Sequence, residues 1–353
     1  MTSRNTPSKI LMTWTAVAAC TVLPLLNVPS ALAEENTGYR HGVMPMVGSP
    51  LYWERAVRNI SANELRYGGG IDAVGVTTGP PMVYLVFWGS QWGTQGTDSN
   101  GYATFSGDSA GMAPDLQAFF KGLGTGGELW SGVMTQYCQG VAAGAIRCPT
   151  SAPHVGYPAG GALAGVWEDA SSAAPGAASA QQLAQEAEKA ATHFGNTTTA
   201  SNRNTQYMIV SPTGTDPDHY KVSGFCAWHD DTGNYGISGP PLAFTNMPYI
   251  TDVGAGCGAG AVNPGDNLDG VTIVSGHEYA ETITDQFPAG GWTVHSGPDA
   301  GEEAADLCAW LTTGNGRMQD LVLTTGTFAV QGIWSNSANK GQGACAIKHA
   351  IVK

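Results

Sequence analysis

Six cysteines spread over the later part of the chain, Cys138, Cys148, Cys226, Cys257, Cys308 and Cys345, restrict the fold more than any other feature. An even set in an exported chain reads as three disulfides, and each crosslink fixes which segments must be neighbours. Loop closure favours near neighbours, so 138–148, 226–257 and 308–345 is the preferred pairing. Zinc held by thiolates would need closer pairs such as Cys-x-x-Cys, and none occurs. The seventh cysteine, Cys20, falls in a segment expected to be removed.

That segment sets the compartment. Arg4 and Lys9 precede a mostly apolar stretch, and Ala31-Leu32-Ala33 is a small-x-small cleavage signal before Glu34-Glu35, so residues 1–33 read as a secretory signal peptide. No later apolar run is long enough for a membrane anchor, and the expected location is extracellular. A net charge of −13, with 15 Lys and Arg against 28 Asp and Glu, leaves no broad positive face for nucleic acid. With 42% hydrophobic and 12% charged residues the chain can bury a core, and its 49 glycines and 20 prolines point to a loop-rich globule.

Residues 34–70 read as an extended lead-in or pro-segment, and 71–353 as a single domain of mixed α/β type. The uninterrupted apolar run 82–88, rich in aromatic and β-branched residues, predicts a central strand buried on both faces. Residues 113–123 predict an amphipathic helix with Leu116, Phe119, Phe120 and Leu123 on one side. The Ala- and Gln-rich stretch 177–194 predicts a second helix. Residues 207–210 predict another buried strand, 243–250 a weaker extended segment, and 321–323 and 328–330 short closing strands. Residues 270–285 are read as a helix despite their β-branched content, with Asp269 as its N-cap.

The last helix carries the chemistry. His277-Glu278-Tyr279-Ala280-Glu281 is a His-Glu-x-x-Glu motif, and on a helix residues four apart share a face, so His277 and Glu281 can both address one metal ion. Glu278 would then turn toward a metal-bound water and act as general base. Asp285, two turns beyond His277, could orient a ligand or add one. A carboxylate in place of the usual second histidine keeps zinc in play and admits harder ions such as calcium or manganese. Downstream, Glu303 or Asp306 is the candidate third ligand, pinned by Cys308. Upstream, His229 is a fourth ligand, an oxyanion stabiliser, or a ring packed under Trp228. Asp266-Asn267-Leu268-Asp269 alternates oxygen donors but lacks the glycine and distal glutamate of a calcium-binding loop.

In order, the segments 224–229, 267–271, 277–285 and 303–308 resemble motifs of the EXORDIUM or phosphate-induced protein family and its actinobacterial secreted relatives. The resemblance runs from about Val83 to Cys345, is dense in the second half, and implies an extracellular protein with a zinc-peptidase-like site. The expected fold is accordingly a zincin-like mixed α/β domain with a metal-site helix and three disulfides. The expected function is a secreted metal-dependent hydrolase, a zinc endopeptidase acting on peptide or protein substrates. The alternative is a non-enzymatic binding or signalling module, in which the same residues hold a structural ion and Trp88, Trp92 and Trp130 contact cell-wall polymer or glycan. A third reading is a metal-free hydrolase using Glu278 and Asp306 as acid and base.

Overall fold

The run at 82–88 forms the predicted strand, Met82–Trp88, and hydrogen-bonds to a neighbour on each side. The structure, a computed structural model, describes residues 1–2, 40–56, 64–348 and 351. The expected signal peptide therefore lies outside the described residues, apart from its first two. Six strands make the central sheet: β1 His41–Pro45, β2 Met82–Trp88, β3 Leu163–Asp169, β4 Thr205–Val210, β5 Phe225–Asp231 and β6 Ala243–Met247. Their order is β1-β5-β6-β4-β2-β3. The block from β6 to β3 is parallel, β5 runs antiparallel to β6, and β1 runs antiparallel to β5.

Alternation along the inner strands explains why they are apolar throughout. Val83, Leu85, Phe87, Met208 and Val210 enter one core, whereas Val86, Trp88, Tyr207 and Ile209 enter the other. A strand covered on both faces loses the polar half of the usual pattern. The second core is closed by helix α2, Ala180–His193, which starts in a capping box of Ser179 with Gln182 and buries Leu183, Ala184, Ala187 and Ala190. The first core lies under α1, Met112–Gly122, and α3, Asp269–Thr284. All 16 residues of α3 are buried.

Packing on every side is what keeps α3 helical through Val271, Thr272, Ile273 and Val274. β-Branched residues weaken isolated helices only modestly, and burial outweighs that. The helix lies against β5 and β1 of the sheet, α1, and the hairpin Gln319–Leu323/Gly326–Val330. Gly270 permits close approach of the preceding segment Ile250–Cys257: a Cβ there would lie 1.9 Å from the carbonyl oxygen of Cys257. Cys257 is bonded to Cys226 of β5, so one disulfide ties β5 to the segment packed on the start of α3. The other two bridges are Cys138–Cys148 and Cys308–Cys345, the pairing that loop closure favours.

Several expectations change. Asp269 does not cap α3: its carboxylate accepts from Val262 N (2.7 Å), Asn263 N (2.6 Å) and Asn263 Nδ2 (2.9 Å), so it holds the preceding loop. Asp266 closes a local turn by accepting from Leu268 N at 2.8 Å. Trp88, Trp92 and Trp130 are core residues and offer no aromatic surface to a polymer. Within 34–70, β1 joins the central sheet and Leu65–Tyr67 pairs with Trp292–Val294, so these parts are built into the domain. Among the described residues no helix is long and apolar enough to cross a membrane.

Candidate metal centre

One turn of α3 brings His277 Nε2 to 3.2 Å from Glu281 Oε2. The turn Asp306–Cys308 adds Asp306 Oδ1 at 3.5 Å from His277 Nε2. Strand β5 adds His229, whose Nε2 lies 3.8 Å from Glu281 Oε2 and 3.4 Å from Glu303 Oε2. Two triads result, His277/Glu281/Asp306 and His229/Glu281/Glu303, each with donor atoms within 4.8 Å of one another. They share Glu281. Neighbouring ligand atoms around an ion with bonds of ~2.0–2.1 Å sit about 3.3 Å apart, and the separations here run from 3.2 to 3.8 Å.

Sequence distance is bridged by backbone hydrogen bonds that aim the carboxylates. Glu281 Oε1 accepts from the amides of Ala305 (3.2 Å) and Asp306 (2.8 Å), which leaves Oε2 facing the histidines. Asp306 Oδ2 accepts from Glu303 N at 3.1 Å, which leaves Oδ1 facing His277. The Cys308–Cys345 bridge and the bond from Trp334 N to Ala304 O (2.7 Å) hold this segment in place. Glu303 and Asp306, alternatives in the sequence, both converge, one on each triad. Ala227 packs on the α3 side of the sheet and Trp228 on the other with Phe244, so strand alternation turns His229 toward α3 and away from Trp228.

Gln331 has no counterpart in the sequence-level reading. Its Nε2 donates to Ala305 O (2.8 Å) and Gly332 O (3.2 Å), so its Oε1 must be the acceptor 3.2 Å from His277 Nδ1. The Nδ1 proton is therefore held, and Nε2 is the nitrogen presented to the cluster, the arrangement that orients metal-binding histidines. The signal is invisible along the chain because Gln331 is 54 residues from His277.

Burial makes the cluster costly as it stands. His229, His277, Glu281 and Glu303 are 0% exposed and Asp306 7%. Among the described residues, both nitrogens of His229, Nε2 of His277, Oε2 of Glu281 and both oxygens of Glu303 lack a hydrogen bond. Inward-facing polar atoms at this depth need a partner, and a divalent cation satisfies nitrogen and oxygen donors together. In the absence of an ion the groups act strongly on one another's ionisation. Burial opposes charge on His277, but Glu281 and Asp306 outweigh it and hold its pKa well above the usual histidine range. Burial drives His229 down to about 3, assisted by His41 and His277, so it presents a neutral ring. Burial, reinforced by Asp285 and Glu281, pushes Glu303 well above the ordinary carboxylate range.

The other sequence candidates fall into place around this core. Glu278 is buried on α3 and close enough for its charge to act on both His277 and Glu303, though it belongs to neither triad. Asp285 is not a ligand in either triad: it accepts from Ala289 N (2.7 Å) and Gly291 N (2.5 Å) and so closes the turn after α3. Burial raises its pKa to about 8 despite those bonds. Two residues of β1 also reach the site. His41 is paired with His229 across the strands, and burial lowers its pKa to about 4 against the pull of Asp306. Gly42 lies directly against Glu281 and His229. No protein-family model, curated protein or solved structure matches the chain.

Proposed function

We propose that the protein is an exported metal-dependent hydrolase, a zinc endopeptidase in which one ion sits against Glu281 Oε2, the atom the two triads share. The observation that carries this reading is the meeting of two buried triads, His277/Glu281/Asp306 and His229/Glu281/Glu303, at the Glu281 carboxylate they share, with inward atoms that lack hydrogen bonds among the described residues. Two nitrogen donors beside carboxylate oxygens favour zinc over calcium, which takes oxygen ligands. The placement of the His-Glu-x-x-Glu helix beneath a mixed sheet, next to the antiparallel strand β5, supports a zincin-like arrangement. The four segments that resemble the EXORDIUM family contribute His229, the start of α3, the motif and the Glu303–Asp306 turn, which supports membership of that extracellular group. The signal-like amino terminus and three disulfides support export.

When bound, such an ion polarises a carbonyl and makes a water acidic enough to attack it at neutral pH. The protein's own groups would do the rest. His277, Glu281 and Asp306 fix the geometry, Gln331 fixes the His277 ring, and Glu278 takes the proton from water and returns it to the departing amine. His229, held neutral, offers a nitrogen without adding charge.

The complete burial of the donors favours a second reading, a structural ion in a binding or signalling module. Elemental analysis with a casein or gelatin assay separates the two. Glu278→Gln is expected to keep its ion and lose hydrolysis, whereas an ion-loaded wild type with no hydrolysis supports the structural role.

A further inference from the structure

No substrate can reach donors that are fully covered, so the cover itself is informative. It is β1. Among the described residues this strand lies at the edge of the sheet and pairs only with β5. A Cβ at Gly42 would lie 2.1 Å from Glu281 Oε2 and 2.3 and 2.5 Å from Cδ2 and Nε2 of His229, so the bare backbone of Gly42 rests on the donor atoms. Its φ of +54° suits glycine and strains other residues. The ladder is irregular at this point: His41 faces His229, Met44 faces Ala227 and Pro45 faces Phe225, with register shifts between them. The chain thus rises over the cluster instead of continuing a regular sheet. Its attachments lie to either side, through Arg40 with Asp218 and through Met46 N to Gly224 O (2.8 Å), Val47 N to Gly256 O (2.8 Å) and Trp310 Nε1 to Pro45 O (2.6 Å).

We propose that the β5 edge beside the cluster is a strand-addition site for an extended peptide, and that residues 41–45 are its built-in occupant, seated with Gly42 against the metal donors. Displacing β1 frees a row of main-chain donors and acceptors on β5 together with His229 and Glu281. An extended peptide with glycine opposite the cluster fits the vacated place, because main-chain bonds supply affinity and the donors forbid a side chain there. The substrate class follows from this and rests on the hydrolase reading. The covered form is the resting form, and its transient opening supplies the basal hydrolysis of the wild type.

Gly42→Val in the full exported chain tests it, read by chelator-driven zinc loss, amide exchange and casein hydrolysis. A side chain forced against Glu281 is expected to lift β1, speeding zinc loss by roughly tenfold or more on the scale of an overpacking penalty. Exchange at the amides of residues 41–44 should accelerate while β4 and β6 stay protected, and hydrolysis should rise. Wild-type rates of zinc loss and exchange in Gly42→Val overturn the proposal. Faster zinc loss and exchange without hydrolysis support the seated strand and count against the hydrolase reading instead. A second measurement needs no variant: in the wild type, zinc release to excess chelator should be limited by the same opening that exposes the amides of 41–44. Zinc leaving while those amides remain protected overturns it.

Discussion

At the scale of single residues, the site depends on where each donor's second atom is tied. Gln331→Leu removes the acceptor for His277 Nδ1 and is expected to weaken zinc binding about 10–100-fold with the fold intact, the usual effect of losing an orienting partner. Competition against a chromophoric chelator measures it, and Gln331→Glu should retain binding. Metal must also displace the proton that Glu281 and Asp306 stabilise on His277, so affinity is expected to fall steadily as pH is lowered through the neutral range. His277, Glu281, Glu303 and Asp306 were legible because helical spacing and a nearby cysteine mark them. Gln331 and Gly42 were not, because their roles arise only when distant segments meet, and neither residue type carries a chemical signature of its own.

At the scale of elements, the strands Met82–Trp88 and Thr205–Val210 were readable from uninterrupted apolar runs, and α3 from the spacing of Val271, Val274, Tyr279 and Ile283. β1, β3 and β5 were harder, because His-Gly-Val-Met-Pro, Leu-Ala-Gly-Val-Trp-Glu-Asp and Phe-Cys-Ala-Trp-His-Asp-Asp mix glycine, proline or charge into strands that lie at an edge or line the site. Helix α2 gives a test that is independent of the metal. Burial, together with the neighbouring carboxylate of Asp169, raises Glu186 to about 8, with Lys189 opposing. A carboxyl whose folded pKa lies above its unfolded value favours folding below the unfolded value and loses that contribution as pH rises toward the folded one. Wild-type Tm is therefore expected to fall between pH 5 and 8, and Glu186→Gln should flatten that decline. An unchanged slope in the variant would place the pH dependence elsewhere.

At the scale of the whole molecule, the disulfides tie the site's separate contributors to one frame. Cys226–Cys257 ties β5 to the segment packed on the start of α3, and Cys308–Cys345 pins the turn that carries Glu303 and Asp306. Replacing Cys308 and Cys345 by serine opens a loop spanning 37 residues. That change is expected to cost about 4 kcal/mol by chain entropy and to loosen metal binding as well, measured by denaturant unfolding with and without zinc. The pairing was legible from spacing, and the layered architecture only in outline, since sheet order depends on long-range contacts that no local pattern encodes. The central claim is that buried donors from α3, β5 and the Asp306 turn hold a cation. Elemental analysis of purified exported protein tests it most directly: about one zinc per folded chain is expected, lost in His277→Ala and Glu281→Ala. Folded wild-type protein that takes up no divalent ion, or variants that keep it, would contradict the account.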